Sequence, residues 1–111
     1  MEAEMIKISI LYPNGQNTRF DIGYYIDKHM PLAIELLSAH SGFNGVSVEH
    51  GLSGAVPGTD APYVAMCHFL FDSVESFSAA FTPNAAVLQG DIPNYTDSEA
   101  VIQVSEVLIS R

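Results

Sequence analysis

The chain has 111 residues, 48% of them apolar, with four Lys and Arg against thirteen Asp and Glu and a net charge of −9. That length suits one domain with its own core. The negative field repels phosphate backbones and anionic lipid, which argues against nucleic-acid and membrane-surface binding. The acids are dispersed rather than run together, so they solvate a surface. Met5 to Tyr12 is rich in Ile and predicts a first strand, closed by the turn signal Pro13-Asn14-Gly15. Asp21 is placed to cap a helix starting at Ile22, whose apolar face is Ile22, Tyr25, Ile26, His29, Ala33, Leu36 and Leu37. Pro31 cannot donate a backbone hydrogen bond and its ring crowds the carbonyl of Asp27, while Met30 is pushed away from helical dihedrals. The helix should therefore kink or restart beside His29.

Gly42 and Gly45 bracket a break, and Val46 to Leu52 predicts a second strand. Ser53 to Pro62, with two glycines and two prolines, is a loop. Tyr63 to Phe71 is the clearest strand, apolar on both alternating faces. Asp72-Ser73-Val74-Glu75 has a capping-box pattern with Asp72 as the cap, and Val74, Phe77, Ala80 and Phe81 line one face of the helix that follows. Thr82-Pro83 restarts a short helix to about Gly90. Residues 91–98 form a polar loop and Ala100 to Ile109 a fourth strand. The order β-α-β-β-α-β predicts a ferredoxin-like α+β fold, with helices on one face of a four-stranded antiparallel sheet. The third strand is apolar on its outer face too, so that face also needs cover. A second copy packed sheet against sheet is the economical solution, and a homodimer is expected.

Cys67 is the only cysteine, so no intramolecular disulfide forms, which fits a reducing compartment. The start of the chain is acidic, with no basic leader, and the apolar runs are of strand length. A cytoplasmic protein with no membrane segment is expected. The four histidines have no HxH or HxxxH spacing, and Gly51, Gly54 and Gly58 precede a strand rather than a helix. No metal or dinucleotide signature results, and no cofactor is expected.

Tyr24-Tyr25-Ile26-Asp27-Lys28-His29-Met30-Pro31 concentrates the chemistry. His29 lies one turn after Tyr25 on the same side. It is either a proton-transfer group, with Tyr25 hydrogen-bonding it or binding a substrate oxygen, or a structural histidine capping backbone groups freed by Pro31. His68 shares a face with Val64, Met66 and Leu70, opposite Cys67. That face either lines a ligand space or packs on helices. Five tyrosines suit both an apolar cleft with polar edges and a subunit interface.

Phe20-Asp21 with Tyr24-Tyr25 and His29-x-Pro31, then Phe69-x-Phe71-Asp72-Ser73, then Asp91-x-Pro93-Asn94-Tyr95-Thr96-Asp97, resembles the small EthD-type proteins of ethyl tert-butyl ether degradation. The resemblance covers nearly the whole chain. It implies one domain over residues 1–111 whose sheets pair into a dimeric α/β barrel. Family members are often labelled reductases or oxidoreductases. Relatives on the fold include cofactor-free monooxygenases, muconolactone-isomerase-like enzymes and some haem proteins, so the fold leaves the reaction open. The expectation is a catabolic oxidoreductase- or isomerase-like enzyme acting on a small apolar or aromatic oxygenated compound. His29 and Tyr25 would be catalytic. Tyr24, His68, Asp91 and Tyr95 would contact substrate, with residues 91–97 closing the cleft. The alternative is a non-catalytic carrier or accessory protein for a pathway intermediate.

Overall fold

The computed structural model describes residues 5–16 and 18–111. Residues 1–4, read above for the lack of a leader, lie outside them. Strands β1 (Ile6–Pro13), β2 (Phe43–His50), β3 (Tyr63–Phe71) and β4 (Val101–Glu106) form one sheet in the order β2-β3-β1-β4, every neighbour antiparallel. Helices α1 (Ile22–Tyr24) and α2 (Met30–Ser38) follow β1, and α3 (Val74–Phe81) and α4 (Ala85–Asp91) follow β3. This is the ferredoxin-like β-α-β-β-α-β arrangement that the residue pattern predicts.

Side-chain alternation decides where the core lies. Ile8 and Tyr12 of β1, with Ala65, Cys67, Phe69 and Phe71 of β3, point to the helices and are buried. There they meet Tyr25, Met30, Ala33 and Leu37 from the first helical segment, and Ala80 and Leu88 from the second. The β2–β3 ladder runs from Phe43↔Phe71 to His50↔Ala65, with a register shift at Gly45, whose φ of 151° favours glycine. On β4 the apolar side chains remain open, with Ile102 63% exposed.

Three local expectations are corrected. Met30 keeps right-handed helical dihedrals (φ −67°, ψ −39°), because residues Tyr25–His29 form a π-helical turn instead of a break. The Met30 amide bonds the Tyr25 carbonyl, five residues back. That wider turn accommodates the Pro31 ring and the missing donor while α2 continues. The extra residue also turns Ile26 out to 45% exposure, off the expected apolar face. The cap of α3 is Ser73, whose hydroxyl accepts from the Ser76 amide at 3.0 Å, rather than Asp72. Finally, β2 starts earlier and β4 is shorter than the pattern suggests.

Candidate active site

The first helical segment is pinned before it reaches His29. Asp21 Oδ1 accepts from the Tyr24 amide at 3.1 Å and starts α1. The Asp21 amide in turn bonds the Tyr95 carbonyl at 2.7 Å, and Thr96 Oγ1 donates to the Arg19 carbonyl at 2.6 Å. Phe20 and Thr96 form an isolated antiparallel bridge. Residues 19–21 and 93–96 are thus stitched together, and the C-terminus of α4 is carried up to the π-helical turn.

At this junction His29 Nδ1 lies 2.9 Å from Asp91 Oδ2. Tyr24 donates its hydroxyl to Asp91 Oδ1 at 2.6 Å, and Asn94 Nδ2 donates to the same oxygen at 2.9 Å. Burial works to raise the Asp91 carboxyl, but the hydrogen bonds from Tyr24, Asn94 and His29 outweigh it and hold the group below the usual carboxylate range. An ionised carboxylate only accepts hydrogen bonds, so His29 Nδ1 carries a proton. Nε2 is left as the free ring nitrogen, a base when the imidazole is neutral. The ring is buried and clamped by two phenols. Tyr95 is 4.6 Å away between centroids, and Tyr25 stacks nearly parallel at 6.0 Å.

His29 borders a cavity of about 110 Å³ between the sheet and the helices. Its walls are mostly apolar, with Ile10, Phe69, Phe81 and Leu88 among them. Tyr25 and Cys67 reach the same space. The Tyr25 hydroxyl is buried and makes no well-formed hydrogen bond among the described residues; the Cys67 thiol, a weak partner, lies beside it. Burial raises the Tyr25 phenol, so it is a neutral donor. Burial also pushes the Cys67 thiol up to about 11, so it is no ready nucleophile. Tyr12 and Tyr95 share a hydroxyl–hydroxyl contact of 2.6 Å beneath this wall.

The sequence-predicted residues divide into two groups. His29, Tyr25, Tyr24, Asp91 and Tyr95 meet in one cluster. Within it, Asp91 rather than Tyr25 is hydrogen-bonded to His29, and Tyr24, Asp91 and Tyr95 surround the imidazole without lining the cavity. His68 lies on the outer face of the sheet, where Nδ1 is 2.8 Å from Ser9 Oγ and Nε2 is 3.5 Å from Glu49 Oε1. Cys67, its neighbour, faces the helices beside Tyr25. Asn94 is a member of the cluster that the residue-by-residue reading passes over. Its spacing of three from Asp91, across a turn containing Pro93, is the signal that pairs the two. Among the described residues no group of three or more His, Cys, Asp or Glu side chains is placed to hold a metal ion.

The profile of the EthD domain family matches residues 15–99. An EthD-like protein from Ralstonia eutropha JMP134 is 43% identical, with 99% of this chain and 97% of that chain covered and a TM-score of 0.90. An ethyl tert-butyl ether degradation (EthD) family protein from Bacillus halodurans C-125 is 20% identical over 94% of this chain and 99% of its own, with a TM-score of 0.70. SnoaB, a cofactor-independent oxygenase from Streptomyces nogalater, shares the fold at 10% identity, with 98% and 97% coverage and a TM-score of 0.58. A comparison with curated protein sequences gives no match.

Proposed function

The chain belongs to the EthD domain family, and on that premise we propose that it acts on a small apolar or aromatic oxygenated compound by proton transfer, as an oxidoreductase or an isomerase-type enzyme. His29 is the acid/base group and Asp91 the residue that orients it. The observation that carries this reading is the 2.9 Å contact of His29 Nδ1 with a carboxylate already held by Tyr24 and Asn94. A histidine that merely fills a core needs one acceptor, and a carbonyl serves. A carboxylate fixed by two further donors sets the tautomer, aims Nε2, and stabilises the imidazolium that forms when Nε2 takes a proton. The apolar walls select an uncharged partner and keep water from competing.

A second copy of the chain covers the outer face of the sheet in this reading. Leu11 pairs with Met66 there, and Val64 and Leu70 share the face with the polar Ser9, His68 and Glu49, a mixed surface of the kind that a subunit interface uses. One set of NMR samples tests both parts. Addition of a neutral one-ring ketone or phenol is expected to shift the ring protons of His29 and Tyr25 and leave those of His68 unchanged. Translational diffusion of the same samples is expected to correspond to two chains. Shifts at His68 alone, or diffusion as a single chain, contradict the corresponding part.

A further inference from the structure

We propose that the Tyr25 hydroxyl is the anchor for a carbonyl oxygen, and that the cavity takes a neutral, one-ring, enolisable carbonyl compound. The inference rests on the role given to His29 above and goes beyond it by naming the substrate class and a second group that touches it.

Three observations converge. The Tyr25 side chain is 1% exposed, yet its hydroxyl makes no well-formed hydrogen bond among the described residues and has the weakly bonding Cys67 thiol beside it. A buried hydroxyl held by no stronger acceptor or donor than a thiol is costly and calls for an explanation, and the oxygen of a ligand supplies one. The ring itself is not loose. Phe20 and Tyr12 pack edge-on against it, with centroids 5.0 and 5.8 Å away, so the hydroxyl is held at one place on the cavity wall. Tyr25 and His29 stack within 12° of parallel at 6.0 Å between ring centroids and both line the same apolar space, so a phenol and an imidazole serve one cavity.

Such a pair reads a particular chemistry. The phenol can only usefully donate, since burial keeps its proton on. Nε2 of a neutral His29 can only accept. The complement is a molecule with an acceptor oxygen and, one or two bonds away, a hydrogen that can be removed: a carbonyl with an α C–H. Nε2 takes the α proton, the C–H electron pair becomes the C=C bond, and the carbonyl π pair moves to oxygen. The resulting enolate oxygen accepts from Tyr25, and Asp91 faces the imidazolium. Return of the proton to the same or a conjugated carbon completes the cycle without any other reactant. The cavity volume of about 110 Å³ caps the size: it is smaller than the engineered void of about 150 Å³ that holds benzene, so one ring is the most it takes. The scarcity of charged side chains at the wall excludes carboxylates.

The test uses cyclohexanone in deuterated water with the intact protein, with deuterium uptake at the α carbons followed by NMR. Methylenecyclohexane serves as the isostere without oxygen, and cyclohexanecarboxylate as the charged control. The wild type is expected to bind the ketone in preference to both and to accelerate exchange. His29→Gln should bring exchange down to the buffer rate. Tyr25→Phe should lower it about 10²–10³-fold, as for loss of one oxyanion donor, and bring ketone and methylene affinities together. A melting curve for Tyr25→Phe no lower than that of the wild type shows that the loss is chemical. Undiminished exchange in Tyr25→Phe, or equal wild-type binding of ketone and isostere, overturns the role of Tyr25 while His29 and Asp91 keep theirs. Exchange at the buffer rate in the wild type overturns both.

Discussion

Asp91→Asn is expected to lower the rate of proton transfer by about 10²–10⁴-fold while the protein stays folded. The substitution keeps size and shape, so the packing of α4 against the π-helical turn should survive. It removes the charge that makes the arrangement work. An ionised Asp91 accepts from Tyr24 and Asn94 at one oxygen and from His29 at the other. An amide at this position cannot accept on both sides. If its NH₂ turns to His29, the imidazole proton moves to Nε2 and the free nitrogen can no longer act as a base. If its oxygen turns to His29, Tyr24 loses its acceptor and the imidazolium has no counter-charge. Steady-state kinetics on a turned-over ketone, with a circular dichroism melt as the control, separates this from general damage. A tenfold or smaller loss of rate would assign the carboxylate to packing and take the orienting role away from it.

Tyr25→Phe is expected to stabilise the protein, by about 1 kcal/mol, which for a domain of this size raises Tm by about 4 °C. The ring lies in a cluster with Tyr12, Phe20 and Tyr95 and should keep its place without the hydroxyl. What disappears is a desolvated oxygen with no well-formed hydrogen bond among the described residues, beside the weakly bonding Cys67 thiol. Ordinary core tyrosines behave in the opposite way, since their hydroxyls are bonded and their loss costs stability. Tyr12 and Tyr95, which share a 2.6 Å contact, are the internal comparison. Tyr12→Phe should therefore destabilise where Tyr25→Phe does not. A gain of stability combined with a loss of ligand binding is the mark of a group kept for function. A fall in Tm for Tyr25→Phe would mean that its hydroxyl is satisfied in solution, and the ligand-anchoring role would go with it.

How far the residue pattern reaches depends on the range of the interaction. Residues Tyr63–Phe71 can be read to the residue because the run is apolar on both faces and is bounded by Pro62 and by the polar pair Asp72-Ser73 that leads into the next helix. β4 ends at Glu106, opposite Ile6, the first residue of β1, short of the apolar Leu108 and Ile109. β2 starts at Phe43, inside what reads as a glycine break, because Phe43 pairs with Phe71 across the irregularity at Gly45. The disturbance at Pro31 is legible, but its form is not. Burial of Tyr25, His29 and Met30 on one side favours a π-helical turn over a kink, and that is a tertiary cause.

The site follows the same rule. Tyr25 and His29 stand out because they are neighbours in sequence. The residues 91–97 stand out as a block, but the partnership of Asp91 with His29 spans 62 positions. It depends on the bridge between Phe20 and Thr96, which only the folded chain reveals. In the proposed reading Asp91 supports the imidazole, whereas the sequence places it among the substrate contacts. His68 is ambiguous from alternation alone, and the position of the helices decides which face it takes.

The ¹⁵N spectrum of His29, at a pH where the ring is neutral, reads directly whether Asp91 fixes the tautomer. A protonated Nδ1 and a bare Nε2 are expected in the wild type, with the pattern lost or reversed in Asp91→Asn. A wild-type ring protonated at Nε2, with Nδ1 bare, would contradict this, since Asp91 would then be unable to orient a base toward the cavity.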